Sequence, residues 1–213
     1  MSSDEENDCM TDLETIRDNI LNMPRNERMQ VSAWDDDNEG IEENRNPKEP
    51  DKKAILDAAE KGDLQKIKLL LIKDKSLLYA TDQDGYTPLH RACYGNHPEV
   101  IKWLIDQGAD ISAKTNDGWQ PLHSACYWNN IECISLLLSY GADINATSKG
   151  DQTPLHLVSA NSHNSPALQL LLMHPEINAN LKNASGDTAF DIAKRTGKYY
   201  PMFEIVEPCL NEI

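Results

Sequence analysis

The tetrapeptide Thr-Pro-Leu-His at residues 87–90 returns as Gln-Pro-Leu-His at 120–123 and as Thr-Pro-Leu-His at 153–156, so the chain repeats itself every 33 residues. Gly-Ala-Asp at 108–110 and 141–143 keeps the same interval. This period constrains the fold more than any composition figure. One copy is long enough only for a supersecondary unit, and such a unit has nothing of its own to bury its apolar face against. The copies must stack, each on its neighbours in sequence.

Within one copy, Asp84-Gly85 reads as a turn. Thr87 is placed to cap a first helix with Pro88 at its first position, and His90 to bond back to Thr87, a capping box with imidazole in place of carboxylate. Both polar side chains would then be satisfied inside the repeat. His123, Thr153 and His156 hold the same capping places, while Gln120 stands where a threonine would cap. A second helix starts near Pro98, carries Val100, Ile101, Leu104 and Ile105 on one face, and stops at Gly108 in a left-handed C-cap.

These motifs resemble the ankyrin repeat. The resemblance implies an all-α solenoid of about five helix-turn-helix repeats, over residues 52–84, 85–117, 118–150, 151–185 and 186–213. The predicted helix pairs are 54–61 with 64–72, 88–94 with 98–106, 121–128 with 131–140, 154–160 with 166–173, and 189–195 with 200–209. The end copies fit the frame at 54–59 and, after a slip of two residues, at 188–193. Both replace the histidine by aspartate, Asp57 and Asp191, as suits repeats with one face toward solvent. The fourth copy departs most, with a longer inner turn at 161–165 and His-Pro-Glu at 174–176 in place of Gly-Ala-Asp.

The chain carries a net charge of −15, and residues 1–50, with 15 acidic against 5 basic side chains, hold ten of those charges. Direct binding to nucleic acid, which needs clustered Lys and Arg, is not expected. No stretch reads as a membrane span, and the opening MSSDEENDCM lacks the apolar core of a secretion leader. The thiols are therefore expected to stay reduced, in cytosol or nucleus. Lys52-Lys53 is too short to read as a nuclear signal. The acidic segment 1–50 is expected to be mostly disordered, with a candidate short helix at 11–22 carrying Leu13, Ile16, Ile20 and Leu21, and with Trp34 before three aspartates. It reads either as a segment that folds on a partner or as a solubilising tail.

Nothing points to catalysis. His90, His123 and His156 occupy one repeat position, roughly 8–10 Å apart from copy to copy, too far to share a metal whose ligands sit about 2 Å from the ion. Cys93 and Cys126 are also a repeat apart and read as buried thiols beside Ala92 and Ala125. Cys9, Cys133 and Cys209 complete no metal spacing, and no phosphate loop or nucleophile elbow occurs. No cofactor is expected.

The aromatic residues are unusual. Tyr86 and Trp119 follow the turn glycine, Tyr94 and Tyr127 come late in the first helix, and Trp128 takes the next place. The ankyrin resemblance implies that turn tips and first helices line a concave, protein-binding groove. These five read as anchors there, since interface hot spots favour Trp and Tyr, or else as packing against the neighbouring repeat. Trp103, on a second helix, reads as packing. Asp82, Asp84, Asn116, Asp117, Asp143 and Asp151 are placed around the turns, so a basic or amphipathic protein partner is expected, with Asp84 and Asp117 assisting. The chain is read as a monomer, with a second partner assigned to the acidic tail.

A closer resemblance rests on residues 117–126, Trp128-Asn-Asn, 142–146, Lys149-Gly150, 188–193 and 203–207. Over about residues 50 to 208 the chain is similar to one small family of ankyrin-repeat proteins. That resemblance implies a non-enzymatic, mostly nuclear protein with a part in regulating transcription. The residues themselves leave open a cytosolic scaffold or dedicated chaperone for a single client.

Overall fold

The computed structural model describes residues 50–161, 165–196 and 200–203. The candidate helix at 11–22, Trp34, Cys9, Cys209 and most of the helix expected at 200–209 lie outside the described residues.

Among the described residues nine α-helices follow in order: α1 Pro50–Glu60, α2 Leu64–Lys73, α3 Pro88–Tyr94, α4 Pro98–Asp106, α5 Pro121–Tyr127, α6 Ile131–Ser139, α7 Pro154–Ala160, α8 Ser165–Leu172 and α9 Ala189–Thr196. The odd-numbered helices pack one on the next as an inner row, and α4, α6 and α8 form a second row behind them. Ala92, Cys93, Ala125 and Cys126 on the inner row are fully buried, and these small side chains let the helices approach closely. Ile67, Ile101, Leu104, Ile134, Leu137, Leu168 and Leu171 fill the core. Each such side chain stabilises by about 2 kcal/mol, whereas water screens an exposed ion pair such as Arg195 with Asp187. Apolar burial between repeats holds the stack.

Thr87 shows how a repeat begins. Its backbone is extended (φ −87°, ψ 168°), its hydroxyl accepts the His90 N–H, and Pro88 enters the helix where no donor is needed. The helix ends at Gly95, and Asn96, at φ 58°, turns the chain into the next helix. A Cβ on Gly95 would lie 2.1 Å from the Glu60 carbonyl oxygen, so the ends of α1 and α3 touch.

Two features differ from the expectation. Helix α1 begins at Pro50 rather than at 54, so Asp57 lies inside the helix and not at a cap. Pro50 followed by Asp51 is itself a favourable helix start, with the carboxylate near the positive end of the helix dipole. After α2 the chain makes a 3₁₀ turn at Lys75–Tyr79. There Asp74 accepts the Ser76 N–H at 2.8 Å while Leu77 and Leu78 are buried.

Candidate protein-binding surface

The histidines bind the repeats to each other. His90 Nδ1 accepts the Thr87 N–H at 3.2 Å, which places the ring proton on Nε2, and Nε2 donates to the Trp119 carbonyl of the next repeat at 3.0 Å. His123 accepts from the Gln120 N–H at 3.1 Å and donates to the Gln152 carbonyl at 3.2 Å. His156 accepts from the Thr153 N–H and donates to the Asp187 carbonyl, each at 3.2 Å. Half of each histidine's bonding therefore crosses to the following copy, which reading a single repeat misses. Burial is the main cause that pushes the His90 and His123 imidazoles down to about 4, so they are neutral donors.

The turns before the inner helices project as a row of tips. The Asp84 carbonyl accepts the Asn116 N–H, and the Asp117 carbonyl accepts the Lys149 N–H, both at 2.8 Å, so each tip is tied to the next. Asp84, Asn116, Asp117 and Asp151 are exposed there. Asp82 is not part of this rim: it is buried, and its Oδ1 accepts the Asp84 and Tyr86 N–H groups at 3.0 and 2.8 Å. Its Oδ2 pairs with Arg91 at 2.7 Å, so its charge is spent on folding the turn. Asp143 also belongs elsewhere. It accepts the Asn145 N–H at 2.9 Å in the turn after α6, as Asp110 accepts that of Ser112 after α4.

Four of the five candidate aromatics form one strip. Tyr94 meets Trp128 edge to face at 4.9 Å between ring centroids, Trp128 meets Tyr127 at 5.2 Å, and Tyr127 meets Trp119 at 5.4 Å. The Trp119 ring also stacks beside His123 at 6.4 Å. Tyr94 and Trp128 remain 38% and 36% exposed, while Trp119 and Tyr127 are half-buried. The rings thus pack on each other and still face outward across two repeats. Tyr86 stands apart, edge-on to His90 at 5.6 Å and under the Arg91 guanidinium at 5.5 Å. Trp103 is partly buried against the core.

The sequence reading missed the charged cluster around Tyr86. Arg91 reaches back to Glu60 of the first repeat at 2.9 Å and to Asp82 of its own turn, joining repeats one and two. The available signal was that Arg91, Asp82 and Glu60 are replaced together, one repeat on, by Ser124, Thr115 and Cys93. Asn130 was missed as well; its Nδ2 donates back to the Cys93 carbonyl at 2.6 Å and fixes the chain just after Trp128. No group of three His, Cys, Asp or Glu residues among those described is arranged to hold a metal ion.

Patterns described as ankyrin repeats match residues 55–148 (three copies) and 125–172 (many copies). Ankyrin repeat domain-containing protein 49 of Bos taurus is 57% identical over 171 residues, 80% of this chain and 71% of that protein. The protein of the same name from Drosophila melanogaster is 51% identical over 177 residues, 83% of this chain and 82% of its own. A shorter likeness, 37% over 60 residues, covers 28% of this chain and 26% of human 26S proteasome non-ATPase regulatory subunit 10. With the helix pairs, the histidine capping and this extent of identity together, the chain belongs to the ankyrin repeat domain-containing protein 49 family.

Proposed function

We propose that the chain is a non-enzymatic adapter that holds a protein partner in the groove of repeats two and three. The observation that carries this reading is the strip Tyr94, Trp128, Tyr127 and Trp119, partly exposed on elements whose backbone is fixed by the histidine and asparagine bonds. Preset aromatic surface loses little conformational entropy on binding, which favours it as an anchor. Nuclear localisation and a part in regulating transcription are proposed with it, on family resemblance, and residues 1–50 are assigned a second protein contact. The test is affinity for partners captured by the full chain, compared with the double variant Trp119→Ala, Trp128→Ala, with circular dichroism melting alongside. Each tryptophan is expected to contribute roughly 2 kcal/mol to binding. Equal affinity in a folded double variant refutes the groove reading.

A second reading is a cytosolic scaffold or chaperone dedicated to one client; of this, the 60-residue likeness to a proteasome regulatory subunit bears on work within a protein assembly alone. Localising the endogenous protein and counting its co-purifying partners separates the two.

A further inference from the structure

Helix α2 turns an apolar pair outward. Leu69 and Ile72 stand one helical turn apart and are 69% and 81% exposed, while Ile67 and Leu71, on the opposite side of the helix, are buried. One and two repeats on, the place of Leu69 is taken by Lys102 and Ser135, both exposed, and that of Ile72 by Ile105 and Leu138, both half-buried against the core. Of these three helices, α2 alone carries an exposed apolar side chain at both places. The frame around the pair is basic. Helix α2 has three lysines and no acid, and Lys75 follows it, whereas α4 has two acids against one lysine and α6 one acid and no base. By helical spacing Lys66 and Lys73 flank the pair on one side and Lys68 on the other. The nearby acids are engaged elsewhere: Asp63 caps α2 by accepting the Lys66 N–H at 2.9 Å, Asp74 accepts the Ser76 N–H at 2.8 Å, and Asp51 pairs with Lys73. Lys68 lies over the Trp103 ring, 5.8 Å from its centroid, and Lys66, Lys68 and Lys75 meet no carboxylate among the described residues. In a chain of net charge −15, this helix is a local reversal of sign.

We propose that this face of α2 docks an acidic amphipathic helix of a partner protein, whose apolar side chains meet Leu69 and Ile72 and whose carboxylates reach Lys66 and Lys68 on either side. The occupant is a helix because the two apolar contacts lie one turn apart along a helix about 15 Å long, the spacing that a second helix matches with its own i, i+3 or i+4 row. It is acidic because the apolar pair is framed by ammonium groups alone, and opposite charge beside an apolar contact fixes the partner's choice and orientation. An anionic lipid surface suits the face less well, since it would repel a chain of this net charge. The site is separate from the aromatic strip: α2 packs on α1 and the 3₁₀ turn, while the strip lies on α3, α5 and the turn before α5. The proposal therefore does not rest on the groove reading.

The experiment titrates the full chain with a designed helical peptide of about 20 residues that has leucines along one face and glutamates beside them, following backbone amide resonances. The same titration is run with lysines in place of the glutamates, and with phosphatidylserine vesicles. The glutamate peptide is expected to shift the amides of residues 66–73, and its advantage over the lysine peptide is expected to shrink at high salt. Leu69→Ser with Ile72→Ser, which places at 69 the residue that α6 carries, is expected to weaken the glutamate peptide about tenfold. Both side chains are exposed, so the circular dichroism melt should stay that of the parent. Lys66→Gln is expected to weaken the peptide less. Equal binding of the lysine peptide, undiminished binding in the double variant, or vesicles shifting these amides where the glutamate peptide does not would overturn the proposal. So would a shift in the resonances of residues 1–49 in the double variant with no peptide present, since the occupant would then be the chain itself. None of these outcomes involves Trp119 or Trp128, whose double variant remains the separate test of the groove reading.

Discussion

Repeats three and five place different chemistry at equivalent positions. In repeat three the residue after the turn and the residue late in the inner helix are Trp119 and Tyr127, with ring centroids 5.4 Å apart. In repeat five, allowing for the two-residue slip, they are Asp187 and Arg195, paired at 2.6 Å. At the capping position, His123 of repeat three donates onward to Gln152, while Asp191 of repeat five accepts the Thr188 N–H at 2.9 Å and its hydroxyl at 2.7 Å. A carboxylate has no proton to give a following turn. An interior repeat needs a side chain that both accepts and donates; Asp191, exposed, is served by one that only accepts.

Acid is the harshest way to break this comparison. The folded imidazoles of His90 and His123 titrate near 4, below the unfolded value near 6.5, so the unfolded chain takes up protons first. Stability from these groups is complete above about pH 6.5 and is lost as pH falls toward 4, on the order of 3 kcal/mol for each histidine. His156 is shifted the same way, mainly by burial. Asp191 moves oppositely in its demand: hydrogen bonds from Thr188 lower its pKa below 3.8, so its cap persists through that window. Urea midpoints measured from pH 7 to pH 4 should fall steeply, with hydrogen exchange rising first in α3 and α5. A flat midpoint across that range would refute the neutral histidine ladder.

The next largest effect is expected from His123→Ala, which removes the acceptor for Gln120 and the donor to Gln152 and should cost about 3 kcal/mol in equilibrium unfolding. Asp191→Ala, on the exposed cap, should move the urea midpoint far less. If both variants melt alike, interior and end positions do not differ as described. A milder contrast comes from thiol labelling. Cys93, Cys126 and Cys133 are buried, and burial drives their pKa values upward, Cys133 to about 12. They should react with a thiol reagent only at the rate of unfolding; labelling of any of them at the rate of a free thiol contradicts the packing. The smallest expected effect is that of chelator or reductant on the melting temperature of the full chain. A drop of many degrees in either would reveal a metal or a disulfide, whose loss costs several kcal/mol or more.

How much was legible varied with how local the interaction is. The start of α3 was readable because Thr87, Pro88 and His90 interact within four residues, and the helix pairs because Val100, Ile101 and Leu104 recur at helical spacing. The exposed Asp84 and the buried Asp82 looked alike, since only the path of the turn decides which carboxylate folds back on its own backbone. Tyr86 and Trp119 share a repeat position too. Arg91, whose partners come from two repeats, covers the first ring, whereas the second continues into Tyr127 and Trp128.

The 33-residue period by itself determined that this chain stacks helix pairs, where the inner helices of the three middle copies begin, and that its ends must differ from its middle, because a repeated apolar face can be satisfied only by its own neighbours. Only the tertiary structure decided that the histidines bridge repeats and that Tyr94, Trp128, Tyr127 and Trp119 touch. The histidine bonds and the Tyr94–Trp128 contact span about 29 to 34 residues, from one copy to the next, and their geometry depends on how closely successive inner helices approach, which is set by small buried side chains such as Ala92 and Cys93 acting together.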